Sequence, residues 1–234
     1  ALTDYQVPVN TTGAIYNEAG LVGSWHFNEG SGTAASDSSG NSNNGTLVNG
    51  PTWTTGKFGS GLSFDGSDDY VGFTPNNFPV GDTAHTIEAW IYVNSLPSNR
   101  AWILLLGAEA NGSHHWLINS AGQTQFGVWG GNQVYPSIPI RKWTHVVVTY
   151  DGTYLKDYIN GNIDQTVTVG TPKFNLSNSF DIAKAHVNEN YFNGSIDEVR
   201  VYNRALSADE IADLYNASKA RLDYGDIRFT DYDG

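Results

Sequence analysis

The chain has no cysteine and no methionine. Without thiols there is no disulfide framework, no thiolate metal site and no cysteine nucleophile. That absence does not place the protein inside a cell, since many prokaryotic surface proteins also lack cysteine. Charge is sparse: 15% of the 234 residues are charged, against about a quarter in ordinary globular chains. The charge present is acidic, 24 carboxylates against 12 Lys and Arg for a net −12. A surface of that sign repels phosphates, so no nucleic-acid partner is expected. No apolar run approaches the roughly 18 residues of a membrane helix, so no membrane insertion is expected. The chain starts at Ala1, without an initiating Met. A processed protein or an excised fragment is the expectation.

Gly, Asn, Ser and Thr fill the composition, together with 7 Trp, 13 Tyr and 10 Phe. Aromatic and β-branched residues suit pleated surfaces, and Gly and Asn suit the turns between them. The composition therefore points to an all-β chain, and its aromatic content argues against disorder. Strand patterns recur along the sequence. Residues 21–27 (LVGSWHF) form the first, followed by a polar loop at 28–44 (NEGSGTAASDSSGNSNN). Segments 61–65 and 70–73 flank a Gly-Ser-Asp-Asp turn. Segment 86–93 (TIEAWIYV) is apolar or aromatic on both faces and reads as a central strand. Further strands are expected at 101–106, 116–118, 124–129, 178–183 and 195–202. Residues 143–169 read as a three-strand meander, turned by Asp151-Gly152 and Asn160-Gly161. About a dozen short strands is the pattern of a sandwich or jelly roll. One helix is expected at 208–217, behind the capping box Ser207-Ala-Asp-Glu210.

The segments GLVGSWHFNEGSG, DSSGNSNNGTL, FDGSDDYV, HTIEAWIYV, KWTHVVVTYDGTYLKDYINGN and FNGSIDEVRVYNRALSADEI stand in this order. As a set they resemble the laminin-G-like jelly roll of the concanavalin-A-like lectin/glucanase superfamily. The resemblance implies a two-sheet antiparallel jelly-roll sandwich, one sheet concave, with one short C-terminal helix. The flanks, LTDYQVPVNTTGAIYNEAG and ARLDYGDIRFTDYDG, look like two halves of a motif from archaeal and bacterial surface proteins of unknown function. The expected organisation is a first half-motif at 1–20, the jelly roll at 21–217 and the second half-motif at 218–234. The jelly roll would be an insertion in a surface loop.

The resemblance also implies a structural Ca²⁺ between the first long loop and the last strand. Carried over by position, its ligands are Glu29, Asp37 and Asp197, with Asn41 and Asn43 through amide or carbonyl oxygen. The alternative reading is that Asp37 and Asn41 cap turns and that Asp197 pairs with Arg200 or Arg204. Asp65, Asp68 and Asp69 read first as turn chemistry and second as a metal site. The paired carboxylates of the superfamily's glucanases have no counterpart here: Glu88 is alone on its strand, and the adjacent Asp197 and Glu198 would face opposite sides. No catalytic activity is expected.

Sugar sites combine aromatic faces with amides and carboxylates. Candidates of that kind are His114, His115, Trp129, Asn132 and Tyr135, with His186 and Asn188 in a polar loop. Trp25, Trp90 and Trp143 read as core, and Arg204 as the fastener of the helix start. Asn-x-Ser/Thr sequons at Asn10, Asn44, Asn111, Asn175, Asn193 and Asn216 permit glycosylation. The expected function is a non-catalytic extracellular or cell-surface module for carbohydrate binding or adhesion, its partner a cell-surface glycoconjugate. The alternatives are a subunit of a surface filament, pairing with copies of itself, and an accessory domain of a glycoside-processing enzyme.

Overall fold

Alternating apolar residues and Gly-containing turns produce sixteen strands and one helix in the computed structural model, which describes residues 18–107, 112–171, 173–177, 179–184 and 191–223, with side chains described to 217. The strands are β1 (Leu21–Trp25), β2 (Ala34–Ala35), β3 (Gly45–Val48), β4 (Thr52–Thr55), β5 (Ser60–Asp65), β6 (Tyr70–Phe73), β7 (His85–Val93) and β8 (Arg100–Leu106). They continue as β9 (His114–Asn119), β10 (Thr124–Val128), β11 (Gln133–Val134), β12 (Thr144–Tyr150), β13 (Tyr154–Ile159), β14 (Asn162–Thr168), β15 (Phe180–Ile182) and β16 (Asn193–Tyr202). The helix is α1 (Ala208–Asp223).

The first sheet runs β14-β13-β12-β7-β16-β5-β4, with β1 beside β16; the second runs β11-β10-β9-β8-β15-β6-β3-β2. All pairings within the sheets are antiparallel. The expected all-β two-sheet sandwich is therefore the observed fold. The Asn160-Gly161 turn has φ of 53° and 79°, the two positive values that a two-residue hairpin of the twisted type needs.

Between the sheets lies one continuous core. Trp25, Leu62, Phe64, Ile87, Ile91, Val146, Val148 and Val199 contribute from the first sheet; Leu104, Trp116, Phe126 and Phe180 contribute from the second. Trp25 stacks on Phe180 at 5.4 Å and meets Phe73 edge-on at 4.7 Å, contacts that add to simple burial. Two smaller apolar clusters lie outside this core. Val147, Tyr158 and Tyr202 of the first sheet pack under Leu206 and Ile211 of the helix region. Trp102, Leu105 and Leu117 form the other, on the outer face of the second sheet.

Several expectations change. Trp90 is buried, but on the outer face of the first sheet against Tyr215 of α1, 5.9 Å between rings. Trp143 is half-buried and packs on Tyr92 rather than in the core. Strands β2, β3, β4 and β11 lack a period long enough to read from sequence. The helix runs to Asp223 rather than 217, across the start expected for the second half-motif. The remainder of both half-motifs lies outside the described residues.

The start of α1 behaves as the sequence implies. Ser207 Oγ accepts the Glu210 amide at 3.2 Å, and Glu210 Oε2 accepts the Ser207 amide at 2.8 Å. Arg204 grips both carboxylate oxygens of Glu210 at 2.9 and 2.7 Å and donates to Ala19 O at 2.6 Å. That grip pushes the Glu210 carboxyl down to about 2. Replacing Ser207 with Ala is expected to destabilise the fold by about 1 kcal/mol, read as a lower midpoint in urea unfolding; an unchanged midpoint would show that the cap contributes nothing.

Candidate functional site

Of the residues expected to hold calcium, the carboxylates of Glu29, Asp37 and Asp197 form no group with ligand atoms within 4.8 Å of one another. Asp37 turns its carboxylate into its own loop. Oδ1 accepts the Ser24 and Ser39 amides, each at 2.9 Å, and Oδ2 accepts Ser39 Oγ at 2.8 Å and the Asn43 amide at 2.9 Å. Four donors use the lone pairs a cation would need. Glu29 Oε1 accepts the Ser36 amide at 2.6 Å, and Asn41 Nδ2 donates to Leu21 O at 3.3 Å. Asn43 is buried; its amide donates to Val22 O and Asn76 O and accepts the Asn76 amide. Asp197 lies in β16, where Oδ2 accepts the Phe58 amide at 2.9 Å and Oδ1 the Glu198 amide at 2.8 Å. Burial, then the neighbouring Glu198 charge, pushes its carboxyl up to about 8. In this arrangement the set serves the loops and does not fit a calcium ion. Asp65, Asp68 and Asp69 form the one group of three such ligand side chains, among the described residues, with ligand atoms within 4.8 Å of one another. Their contacts are those of a turn: Asp69 accepts the Asp65 amide and Asp65 the Ser67 amide.

Outside the first sheet, Glu88 and Glu198 converge on one cation. Arg200 donates to Glu88 Oε1 and, at 2.6 Å, to Glu198 Oε2, which also meets His26 Nδ1 at 2.8 Å. Burial opposes ionisation of Glu88, but the charges and hydrogen bonds of Arg200 and His145 together outweigh it and hold the carboxyl below its usual range. Two carboxylates joined through a guanidinium are a structural brace, not an acid and base free to act on a sugar.

The adjacent histidines part company, because neighbours on a strand face opposite sides. His114 turns into the sandwich. His85 Nδ1 lies 2.8 Å from Thr83 O, which can only accept, so this nitrogen carries the proton. Nε2 of His85 then accepts from His114 Nδ1 at 2.8 Å, and His114 Nε2 accepts from Trp116 Nε1 at 3.2 Å. Each ring is a neutral imidazole with one donor and one acceptor used. Burial lowers His85 to about 4, and lowers His114 well below the usual range. His114 therefore belongs to the core, not to a ligand surface.

His115 faces the other way, onto the outer face of the second sheet. It packs against the edges of two indoles, 5.9 Å from Trp102 and 5.5 Å from Trp129, which stack on each other at 5.4 Å. Register sets a row across this face: Asp181, Leu105, His115, Gly127 and Gln133 are successive cross-strand partners. The centre of the face is shielded, with His115 at 0% and Trp102 at 2% exposure, whereas Trp129, Gln125, Gln133 and Asp181 are half-buried. Both ring nitrogens of His115 and Oγ of Ser113 have no hydrogen-bond partner although buried. Those are three of the seven such side-chain atoms among the described residues. Leaving a buried polar atom unpaired costs on the order of 1–3 kcal/mol, so each of these atoms has a hydrogen bond to gain; the other four belong to Glu88, His145 and Asp157 of the first sheet. Burial, then the Arg100 charge, lowers His115 to about 4, so it is uncharged at neutral pH.

Asn132 and Tyr135 stand beside this face and are exposed; Asn132 Nδ2 donates to Thr168 O at 2.9 Å, and Tyr135 Oη donates to Gln133 Oε1 at 2.7 Å. His186 and Asn188 lie outside the described residues, as do the sequons Asn10 and Asn111. Of the remaining sequons, Asn44, Asn175 and Asn216 are exposed, and Asn193 is half-buried with its amide donating to Asp65 O. Sequence reasoning missed Trp102 and Ser113. Trp102 sits in the run AWILLL, whose two apolar faces hide the alternation that would have turned it outward.

Residues 65–212 match a family model of the concanavalin A-like lectin/glucanases superfamily, in its laminin G branch. The chain belongs to this superfamily. Among solved structures, domain 4 of an extracellular family 43 arabinanase from Geobacillus stearothermophilus, determined with arabinotriose, is 22% identical with a TM-score of 0.68; the match covers 85% of this chain and 100% of that domain. The binding domain of Paraclostridial Mosquitocidal Protein 1 is 19% identical with a TM-score of 0.69, over 85% of this chain and 52% of that one. Trypanosoma rangeli sialidase is 21% identical with a TM-score of 0.66, over 87% of this chain but only 34% of the enzyme. The lectin/glucanase-like chain thus spans all of the arabinanase domain, about half of the toxin domain and a third of the sialidase. No curated protein sequence matches it. No helix among the described residues is long and apolar enough to cross a membrane.

The buried titratable groups set the pH range of the fold. His85 and His115, held near 4 against about 6.5 when unfolded, contribute stability above about 6.5 that is lost as pH falls toward 4; the lowered His114 acts in the same direction. Asp157 is buried with both carboxylate oxygens unpartnered, and burial, then the Asp164 charge, raises it to about 7. With Asp197 near 8, it contributes stability at low pH that is lost as pH rises from about 4 through 7 and 8. Stability is expected to peak at about pH 6.5 and fall on both sides. Asp157→Asn should raise the melting temperature more at pH 8 than at pH 5; an equal shift at both would show that Asp157 is ionised throughout.

Proposed function

We propose that this chain is a non-catalytic carbohydrate-binding module acting outside the cell, and that it binds through the outer face of its second sheet. The observation that carries this reading is the Trp102–Trp129 stack beside buried polar atoms that have no protein partner. Sugars present apolar C–H patches ringed by hydroxyls, and a platform of aromatic faces with a few convergent polar groups is the complementary surface. Support also comes from the whole-domain likeness to domain 4 of an extracellular arabinanase determined with arabinotriose. That likeness makes an accessory domain of a glycoside-processing enzyme a natural setting for the module. The absence of catalysis rests on the engagement of Glu88 and Glu198 by Arg200.

Trp129 is half-buried at the margin of the platform, so it can be truncated with little effect on folding. Trp129→Ala is expected to weaken binding of a neutral oligosaccharide panel at least tenfold, about 1.4 kcal/mol, with a circular-dichroism spectrum unchanged from the parent. Equal affinity in parent and variant would remove this face from consideration.

A further inference from the structure

We infer that the ligand group reaching the centre of this face is an uncharged hydroxyl, so that the module selects neutral sugars over carboxylated or sulfated ones. The inference rests on the carbohydrate-binding reading and narrows it. A neutral imidazole has one N–H donor and one nitrogen that only accepts. Neither nitrogen of His115 has a partner, and neither does Ser113 Oγ, two residues earlier and just before β9. The accepting nitrogen is satisfied only by a group that donates. A carboxylate or sulfate oxygen accepts and cannot donate, whereas a hydroxyl does both. A hydroxyl placed against His115 would therefore satisfy both kinds of unmet valence in turn; an anionic group would satisfy the N–H alone and leave the other nitrogen bare.

The immediate neighbours act in the same direction: His115 is flanked by Trp102 and Trp129, and its cross-strand partners are Leu105 and Gly127, none of them charged. Arg100, at the exposed start of β8, is a cation whose field reaches His115 and acts the other way. Asp181 lies next in the row beyond Leu105, and Gln133 beyond Gly127. Asp181 disfavours an anion, and the amides of Gln125 and Gln133 bond to each other, with Gln133 Oε1 also accepting from Tyr135 Oη. Gly127, next to His115 in the row, is packed closely against Asn132 O and Gln133, and the half-exposed margin of the face is formed by Trp129, Gln125 and Gln133. Over longer distances the net charge of −12 repels anionic glycans.

Two measurements on the full chain test this. Calorimetric titration compares neutral trisaccharides (arabinotriose, cellotriose, mannotriose) with sialyllactose and trigalacturonate. At least one neutral probe is expected to bind about tenfold or more tighter than both acidic ones. Tighter or equal binding of an acidic probe would overturn the neutral-sugar inference and leave the carbohydrate-binding reading standing. Binding of no probe by the folded protein would overturn both. His115→Phe then separates site from scaffold. It replaces an unpartnered buried polar ring with an apolar ring, so the melting temperature should hold or rise while the affinity for the neutral probe falls about tenfold. Unchanged affinity would overturn the inference. If the variant does not fold, the imidazole ¹⁵N resonances of His115 in the parent give the answer: both should move on titration with the neutral probe, and stationary resonances would overturn it.

Discussion

Strand β16 changes partners halfway along its length, and the sandwich is arranged around that change. Its first half pairs with β5 and its second with β1 on the same side, while β7 runs along the other side throughout. The register with β7 shifts between Asp197 and Arg200, and Glu198 takes a φ of 50°. A bulge of this kind adds twist and re-aims side chains, and a non-Gly residue at positive φ has to be held there. Asp197 supplies part of the hold through the amides of Phe58 and Glu198; Arg200 supplies the rest by joining Glu198 to Glu88 of the neighbouring strand. Carboxylates that look like candidates for metal or catalysis are thus occupied in holding a distorted central strand.

The two outer faces are covered differently, although each holds unpartnered buried atoms: Glu88 Oε2 and His145 Nδ1 on the first sheet, His115 and Ser113 on the second. On the first sheet, α1 seals the surface: Tyr215 stacks on Trp90 and His145, Lys57 lies 4.4 Å over the Trp90 ring, and Ile211 and Leu206 cover Tyr158 and Tyr202. On the second sheet, stacked indoles surround polar atoms for which the protein provides no partner. A sealed face contributes stability. A face that carries an unmet hydrogen-bonding cost makes sense when an external group meets it.

Much of the fold was legible in the sequence, and for identifiable reasons. The Asp-Gly and Asn-Gly turns and the two-faced apolar strand at 86–93 placed the meander and the centre of the first sheet. The capping box placed the start of α1 to the residue. The short edge strands were not legible, since two to four residues carry no period. Trp90 read as core because burial under a helix and burial between sheets leave the same pattern on a strand that is apolar on both faces. The site was half legible. His115 and Trp129 stood out as chemistry-bearing residues in a loop-rich stretch. Strand parity alone separates His115 from His114, and that parity required the exact start of β9. The five residues named for calcium were legible as polar partners of the first loop and the last strand, but only coordinates show that the oxygens of Glu29, Asp37, Asn43 and Asp197 face backbone amides and that Asn41 donates to Leu21 O.

The seven tryptophans, at positions 25, 53, 90, 102, 116, 129 and 143, are spread across both sheets. Their indole N–H resonances, followed in a ¹H–¹⁵N spectrum during titration with a neutral oligosaccharide, test directly whether the outer face of the second sheet is the binding surface. The account predicts that Trp102 and Trp129 move together while Trp25, Trp53, Trp90, Trp116 and Trp143 stay in place. Shifts confined to Trp90 and Trp143 would put the ligand on the first sheet and contradict it.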